Sequence, residues 1–136
     1  MLSLKSEVGK DVGPYQEDVT ADRILNFCRA IGATDSHQAP PTFLTVFRKA
    51  EFELFNQLGF DLSQVLHAEQ EYEYEGVILA GDRVEFKTAL THVLEKQSTK
   101  SFMQFLTFET EIHSERNMNR LRIGKSKTTV VIRGSI

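Results

Sequence analysis

The sequence predicts an α+β fold in which a curved antiparallel sheet wraps a long central helix. Three observations carry that expectation. Two amphipathic helical patterns lie in the first half of the chain, roughly four long alternating runs fill the second half, and no helical period interrupts those runs. Strands that follow one another without crossover helices pair antiparallel, and the apolar face of such a sheet needs a covering layer.

Taken in order, Gly13-Pro14 punctuates an N-terminal segment and leads into a short extended run. Thr20 then offers a helix N-cap, with Asp22 favoured in the first turn. Ile24, Phe27, Cys28 and Ile31 recur at helical spacing, and Gly32 is the expected stop. After Pro40-Pro41, Thr42 can cap a second, longer helix. Leu44, Phe47, Ala50, Leu54 and Leu58 form its apolar face, widened by Phe43 and Phe55, and Gly59 ends it. The first long run alternates Leu66, Ala68, Gln70, Tyr72 and Tyr74 with His67, Glu69, Glu71, Glu73 and Glu75. Ala80-Gly81-Asp82 reads as a turn. Val84, Phe86, Thr88, Leu90, His92 and Leu94 continue the period of two, as do Phe102, Gln104, Leu106, Phe108 and Ile112, and a last strand runs from about Leu121 to Arg133. One such sheet leaves strand edges open, so a dimer that continues the sheet is expected.

Bulk properties narrow the class. A chain of 136 residues fits one domain, residues 1–136, with a core large enough to need no staples. A net charge of -3 argues against nucleic acid as a partner. The single Cys28 excludes an internal disulfide and fits a reducing cytoplasm; its place on an apolar helical face makes it buried filler. The first residues carry no long apolar run, so neither a signal peptide nor a membrane span is expected. No Cys/His spacing or dense carboxylate set points to a metal. Ile123-Gly124-Lys125-Ser126 is too short to read as a phosphate loop.

Four ordered stretches resemble MaoC-like N-terminal dehydratase domains: Val8–Tyr15 with Phe27–Gly32, Ala39-Pro40-Pro41-Thr42-Phe43, Leu66–Tyr74 with Leu79-Ala80-Gly81-Asp82, and, more loosely, Thr110-Glu111 with Thr129–Arg133. The resemblance implies a hot-dog fold acting on acyl thioesters of coenzyme A or acyl carrier protein. The implied reaction is reversible hydration of a trans-2-enoyl thioester to an (R)-3-hydroxyacyl thioester. The carrier is then part of the substrate and no separate cofactor is expected. An Asp/His pair would perform the acid–base steps, while backbone N–H groups polarise the thioester carbonyl.

Active relatives carry that pair in a loop of the form Asp-x-Asn-Pro-x-His between the two helices. Here Thr34-Asp35-Ser36 can align with its start, but no Asn-Pro follows, and His37-Gln38 passes directly to Ala39-Pro40-Pro41. Asp35 and His37 remain the catalytic candidates, although an exposed polar turn also accounts for them. The shortened loop points to the substrate-binding half of a homodimer or a heterodimer with a second hot-dog subunit. Thr42, Phe43, Phe47, His67, Glu69, Gln70 and Gly81 are the candidate substrate contacts. The alternatives are a self-sufficient hydratase using Asp35 and His37, an acyl-CoA thioesterase using Glu69 or Glu51 to activate water, and a non-enzymatic acyl-binding module.

Overall fold

The computed structural model describes residues 2–60 and 62–135. Five antiparallel strands, β1 (Asp11–Asp18), β2 (Val65–Tyr74), β3 (Arg83–Gln97), β4 (Ser101–Arg116) and β5 (Asn119–Ser135), form one sheet in the order β1-β3-β4-β5-β2. The extended run around Gly13-Pro14 thus supplies an edge strand, with a register shift between Val12 and Tyr15 where it pairs with β3. Helix α1 (Ala21–Ile31) begins as expected: the Thr20 hydroxyl accepts the Arg23 N–H at 3.1 Å, and Gly32 closes it at φ 73°. Helix α2 (Lys49–Leu58) lies against the sheet.

The central helix is shorter than the sequence predicts. Residues Pro41–Val46 form a 3-10 segment, the chain breaks at Phe47 and Arg48, and only then does α2 start. Thr42 caps nothing; Pro40 and Arg48 occupy the two cap positions without a side-chain cap bond. The physical reason is local. Pro41 opens the segment, Thr42, Thr45 and Val46 are β-branched, and the Thr45 hydroxyl bonds back to the Thr42 carbonyl at 2.6 Å. The tighter winding still sends Phe43, Leu44 and Phe47 into the core.

Two bulges also change the expected faces. Between Leu90 and His92 the β3 register shifts, so Val93 packs against the core while Leu94 is 57% exposed. Between His67 and Glu69 the β2 register shifts as well. His67 therefore pairs with buried Val130 on the helix side of the sheet, the side on which Gln70 faces buried Thr128, and Leu66 turns outward at 68% exposure. An inserted residue flips every side chain beyond it, and no period count shows where that happens.

Tyr15, Phe86, Phe47, Phe43 and Phe27 form a chain of rings between sheet and helices, with centroid spacings of 5.3–6.0 Å. Phe55 meets Phe108 at 4.8 Å on the other side of α2. Mutually tilted rings of this kind fix the helix over the sheet.

Candidate functional site

The loop between α1 and the 3-10 segment is held by its backbone. The Ala33 N–H donates to the Cys28 carbonyl at 2.8 Å as the chain leaves α1. The His37 carbonyl accepts from Ala80 N–H at 2.9 Å, Ala39 N–H donates to Ile78 at 2.8 Å, and Gln38 bridges to Leu79. Residues 37–39 are thereby sewn onto residues 78–80. The side chains point elsewhere. Asp35 meets Arg29 Nη2 at 3.4 Å, both groups being exposed, and the exposed His37 ring makes no hydrogen bond among the described residues. No hydrogen bond joins Asp35 to His37, so no orienting contact of the kind that couples an acid–base pair is present.

The same loop walls an apolar pocket of about 280 Å³. Pro40 and Pro41, the buried Phe43 and Leu44, and Tyr74, Val77 and Ile78 line it. Partial burial, helped by nearby Tyr72, pushes the Tyr74 hydroxyl up to about 12. Phe43 is thus the one predicted substrate contact that reaches this pocket. Tyr74, Val77 and Ile78 were not singled out from the sequence. The signal available was the apolar run Val77-Ile78-Leu79 between a strand end and the Gly81 turn, too hydrophobic for a solvated loop.

An ion pair with its carboxylate buried and its guanidinium partly exposed holds that wall. Asp82, 2% exposed, accepts from Arg116 Nε and Nη2 at 2.7 Å each, from Ser114 Oγ at 3.0 Å and from Leu79 N–H at 3.0 Å. Arg116 Nη2 also donates to the Val77 carbonyl at 2.8 Å. Burial raises the Asp82 carboxyl, but the Arg116, Leu79 and Ser114 hydrogen bonds together outweigh it and leave the group below its ordinary value. What reads in the sequence as a simple turn is therefore the latch that positions residues 77–80. Gly81 supplies only the bend, at φ 94°, and lies outside the pocket.

The remaining candidates gather elsewhere. Gln70 Oε1 accepts from Thr128 Oγ1 at 2.9 Å and lies 3.2 Å from His67 Nε2, while Gln70 Nε2 donates to Ser126 at 3.2 Å. Gln70 and the buried Phe47 border a cleft of about 10 Å³ with Arg48, Glu51, Thr110, Ser126 and Thr128. Glu51 is 3% exposed; its Oε2 accepts from Arg48 Nε at 2.6 Å, and its Oε1 has no partner among the described residues. The Thr45 and Tyr72 hydroxyls bond to each other at 2.5 Å at the rim. Thr42, His67 and Glu69 are exposed.

Comparison with known structures places this architecture. A HadBC (3R-hydroxyacyl-ACP dehydratase) chain from Mycobacterium tuberculosis superposes with a TM-score of 0.72 at 17% identity, covering 92% of this chain and 96% of that one. A MaoC-like dehydratase gives 0.74 at 19% identity over 96% of this chain and 43% of that chain, and the ChsH1–ChsH2 complex from Mycobacterium tuberculosis gives 0.65 at 17% identity over 95% and 86%. The fold is the hot-dog fold of the MaoC-like dehydratases. The chain belongs to the family described as FAS1-like, dehydratase domain region, whose model matches residues 6–119. A UPF0336 protein from Saccharopolyspora erythraea is 30% identical over 133 residues, covering 96% of this chain and 76% of that protein. No helix among the described residues is long and apolar enough to cross a membrane.

Proposed function

We propose that this chain is the acyl-binding half of a two-chain hydratase/dehydratase acting on enoyl and 3-hydroxyacyl thioesters of coenzyme A or acyl carrier protein. The observation that carries the reading is the apolar pocket built from the segment where the family resemblance would put a catalytic loop. Pro40, Pro41 and Gln38 line it, whereas Asp35 is engaged with Arg29 and His37 faces solvent. Ligand sites commonly enclose roughly 300–1,000 Å³. A pocket of about 280 Å³ fits a short acyl chain or one end of a longer one. In this reading a partner hot-dog chain supplies the Asp/His pair that moves protons at C2 and delivers water at C3. This chain keeps the acyl tail dry and fixes its direction, a positioning contribution to rate. Two-chain neighbours such as HadBC and ChsH1–ChsH2 support the need for a partner. A cytoplasmic location is part of the proposal and accords with a single cysteine.

The test is crotonyl-CoA hydration, followed by loss of enoyl absorbance. The purified chain is expected to give negligible turnover, unchanged by His37→Ala, and activity is expected on adding a hot-dog chain with an intact Asp-x-Asn-Pro-x-His loop. Robust turnover by this chain alone, abolished by His37→Ala, would overturn the proposal.

Thioester hydrolysis is a second reading, favoured by Glu51 alone. Its unpartnered Oε1 could take a proton from water as the water attacks the thioester carbonyl and the thiolate leaves. The adjoining cleft of about 10 Å³ has room for a single water and none for a thioester. Thiol release from acyl-CoA without hydration, abolished by Glu51→Gln, would select this reading over the first.

A further inference from the structure

The open edge of β2 offers an interface whose charge specifies the partner. Among the described residues, β2 hydrogen-bonds to β5 on one side and to no strand on the other. It contains neither proline nor lysine; the devices that guard it are the bulge between His67 and Glu69 and its glutamates, whose charge repels some strands and not others. Leu66 is exposed along it, and Tyr74 is exposed at its end. Beyond the bulge the strand alternates strictly. Gln70, Tyr72 and Tyr74 share the helix side, Glu69, Glu71 and Glu73 share the outer side, and Glu75 follows just past the strand's end.

The cations on the neighbouring strands do not neutralise that row. Lys127 lies 4.0 Å from Glu71, and Lys125 lies 3.8 Å from Glu73 but closer, 2.8 Å, to Glu109. Arg122 is divided between Glu75 and Glu111. Three β2 carboxylates, Glu75 just past the strand's end and two carboxylates from β4 thus face three cations, leaving an acidic outer stripe beside the open edge.

Consider a second copy of this chain continuing the sheet antiparallel, with both helices on the same side. Directly opposed residues in an antiparallel pair project to the same face, so every register that joins the 69–75 segments sets glutamate against glutamate. Like charges directly opposed across a strand pair destabilise it. We infer that the β2 edge is built to accept an edge strand from a different chain, one presenting Lys or Arg on its outer face, and that the glutamate row disfavours self-pairing. This inference takes from the proposed function only the expectation of a partner, and it adds the chemistry that selects one.

The experiment uses the chain and two of its own variants, each checked for its fold by circular dichroism. In Glu71→Gln/Glu73→Gln the repulsion is reduced; in Glu69→Lys/Glu71→Lys/Glu73→Lys/Glu75→Lys the edge becomes the basic probe strand. Sedimentation and native mass spectrometry at low salt should show the wild type at least tenfold weaker in self-association than the Gln variant. An equimolar mixture of wild type and Lys variant should give a one-to-one complex that weakens as salt rises. A tight wild-type homodimer unaffected by Glu71→Gln/Glu73→Gln would overturn the inference. So would a mixture and a Gln variant that both remain monomeric. If the Lys variant fails to fold, the Gln comparison still decides. Hydratase activity is not read in these measurements, so their failure leaves the acyl-binding proposal standing, and absence of reconstituted hydration would leave the pairing result standing.

Discussion

At the scale of single residues, Asp82 ties a turn to the pocket wall. Its carboxylate is buried and takes four hydrogen bonds, and its partner Arg116 also grips the Val77 carbonyl at the pocket wall. Asp82→Ala leaves the Leu79 N–H and the buried Ser114 hydroxyl without their acceptor, while Arg116 keeps its access to water, so the change should cost about 2 kcal/mol in denaturant unfolding. The pH dependence follows from the lowered folded-state value. Unfolded, the carboxyl titrates near 3.9. Folded, it holds its charge to lower pH, so it binds fewer protons than the unfolded state across that window. Its stabilisation is complete above the ordinary aspartate range and is lost as pH falls through the lowered folded value. Asp82→Asn should therefore be less stable than wild type at pH 7, with the gap narrowing below about pH 4. A gap that stays constant down to pH 2 would show that the charge is not the operative part.

At the scale of elements, the pocket is made where two segments leave their regular structures: the 3-10 segment Pro41–Val46 and the loop after β2. A carboxylate at its rim should repel an acyl chain without disturbing the core, because Val77 is exposed. Val77→Asp is expected to weaken binding of a short acyl-CoA about tenfold, about 1.4 kcal/mol, with an unchanged thermal midpoint; calorimetric titration beside a melting curve separates the two. Much of this scale was legible in the sequence. The Thr20 cap, the Gly32 and Gly59 stops and the buried alternation from Val84 to Leu90 are set by local chemistry that a short window contains. The bulges at 67–69 and 90–92 were not legible, since they are decided by register against β5 and β4. Nor was the helix break. Apolar spacing at Phe43, Leu44 and Phe47 satisfies an α-helix and a 3-10 turn about equally, and Thr45 settled it through a backbone bond that spacing cannot show. Asp82 read as turn chemistry because its partner Arg116 lies on β4, far along the chain.

For the whole molecule, the proposed function makes one sheet with one apolar pocket half of a site, and that makes stoichiometry a measurable property. If the partner supplies the proton-transfer groups and this chain the acyl pocket, each productive unit needs one of each. Hydration measured at a fixed, high concentration of a catalytic hot-dog chain should rise linearly as this chain is added and break sharply at one equivalent. Val77→Asp should lower the plateau or raise the substrate concentration needed to reach it, while leaving the breakpoint at one equivalent, because it touches the pocket and not the pairing edge. Glu71→Gln/Glu73→Gln should do the opposite: self-pairing competes with a partner whose charge attraction is weakened, so the breakpoint blurs and moves to more than one equivalent while the plateau is retained at excess of this chain. A plateau already reached by the catalytic chain alone would show that the pocket described here is not part of the reacting unit.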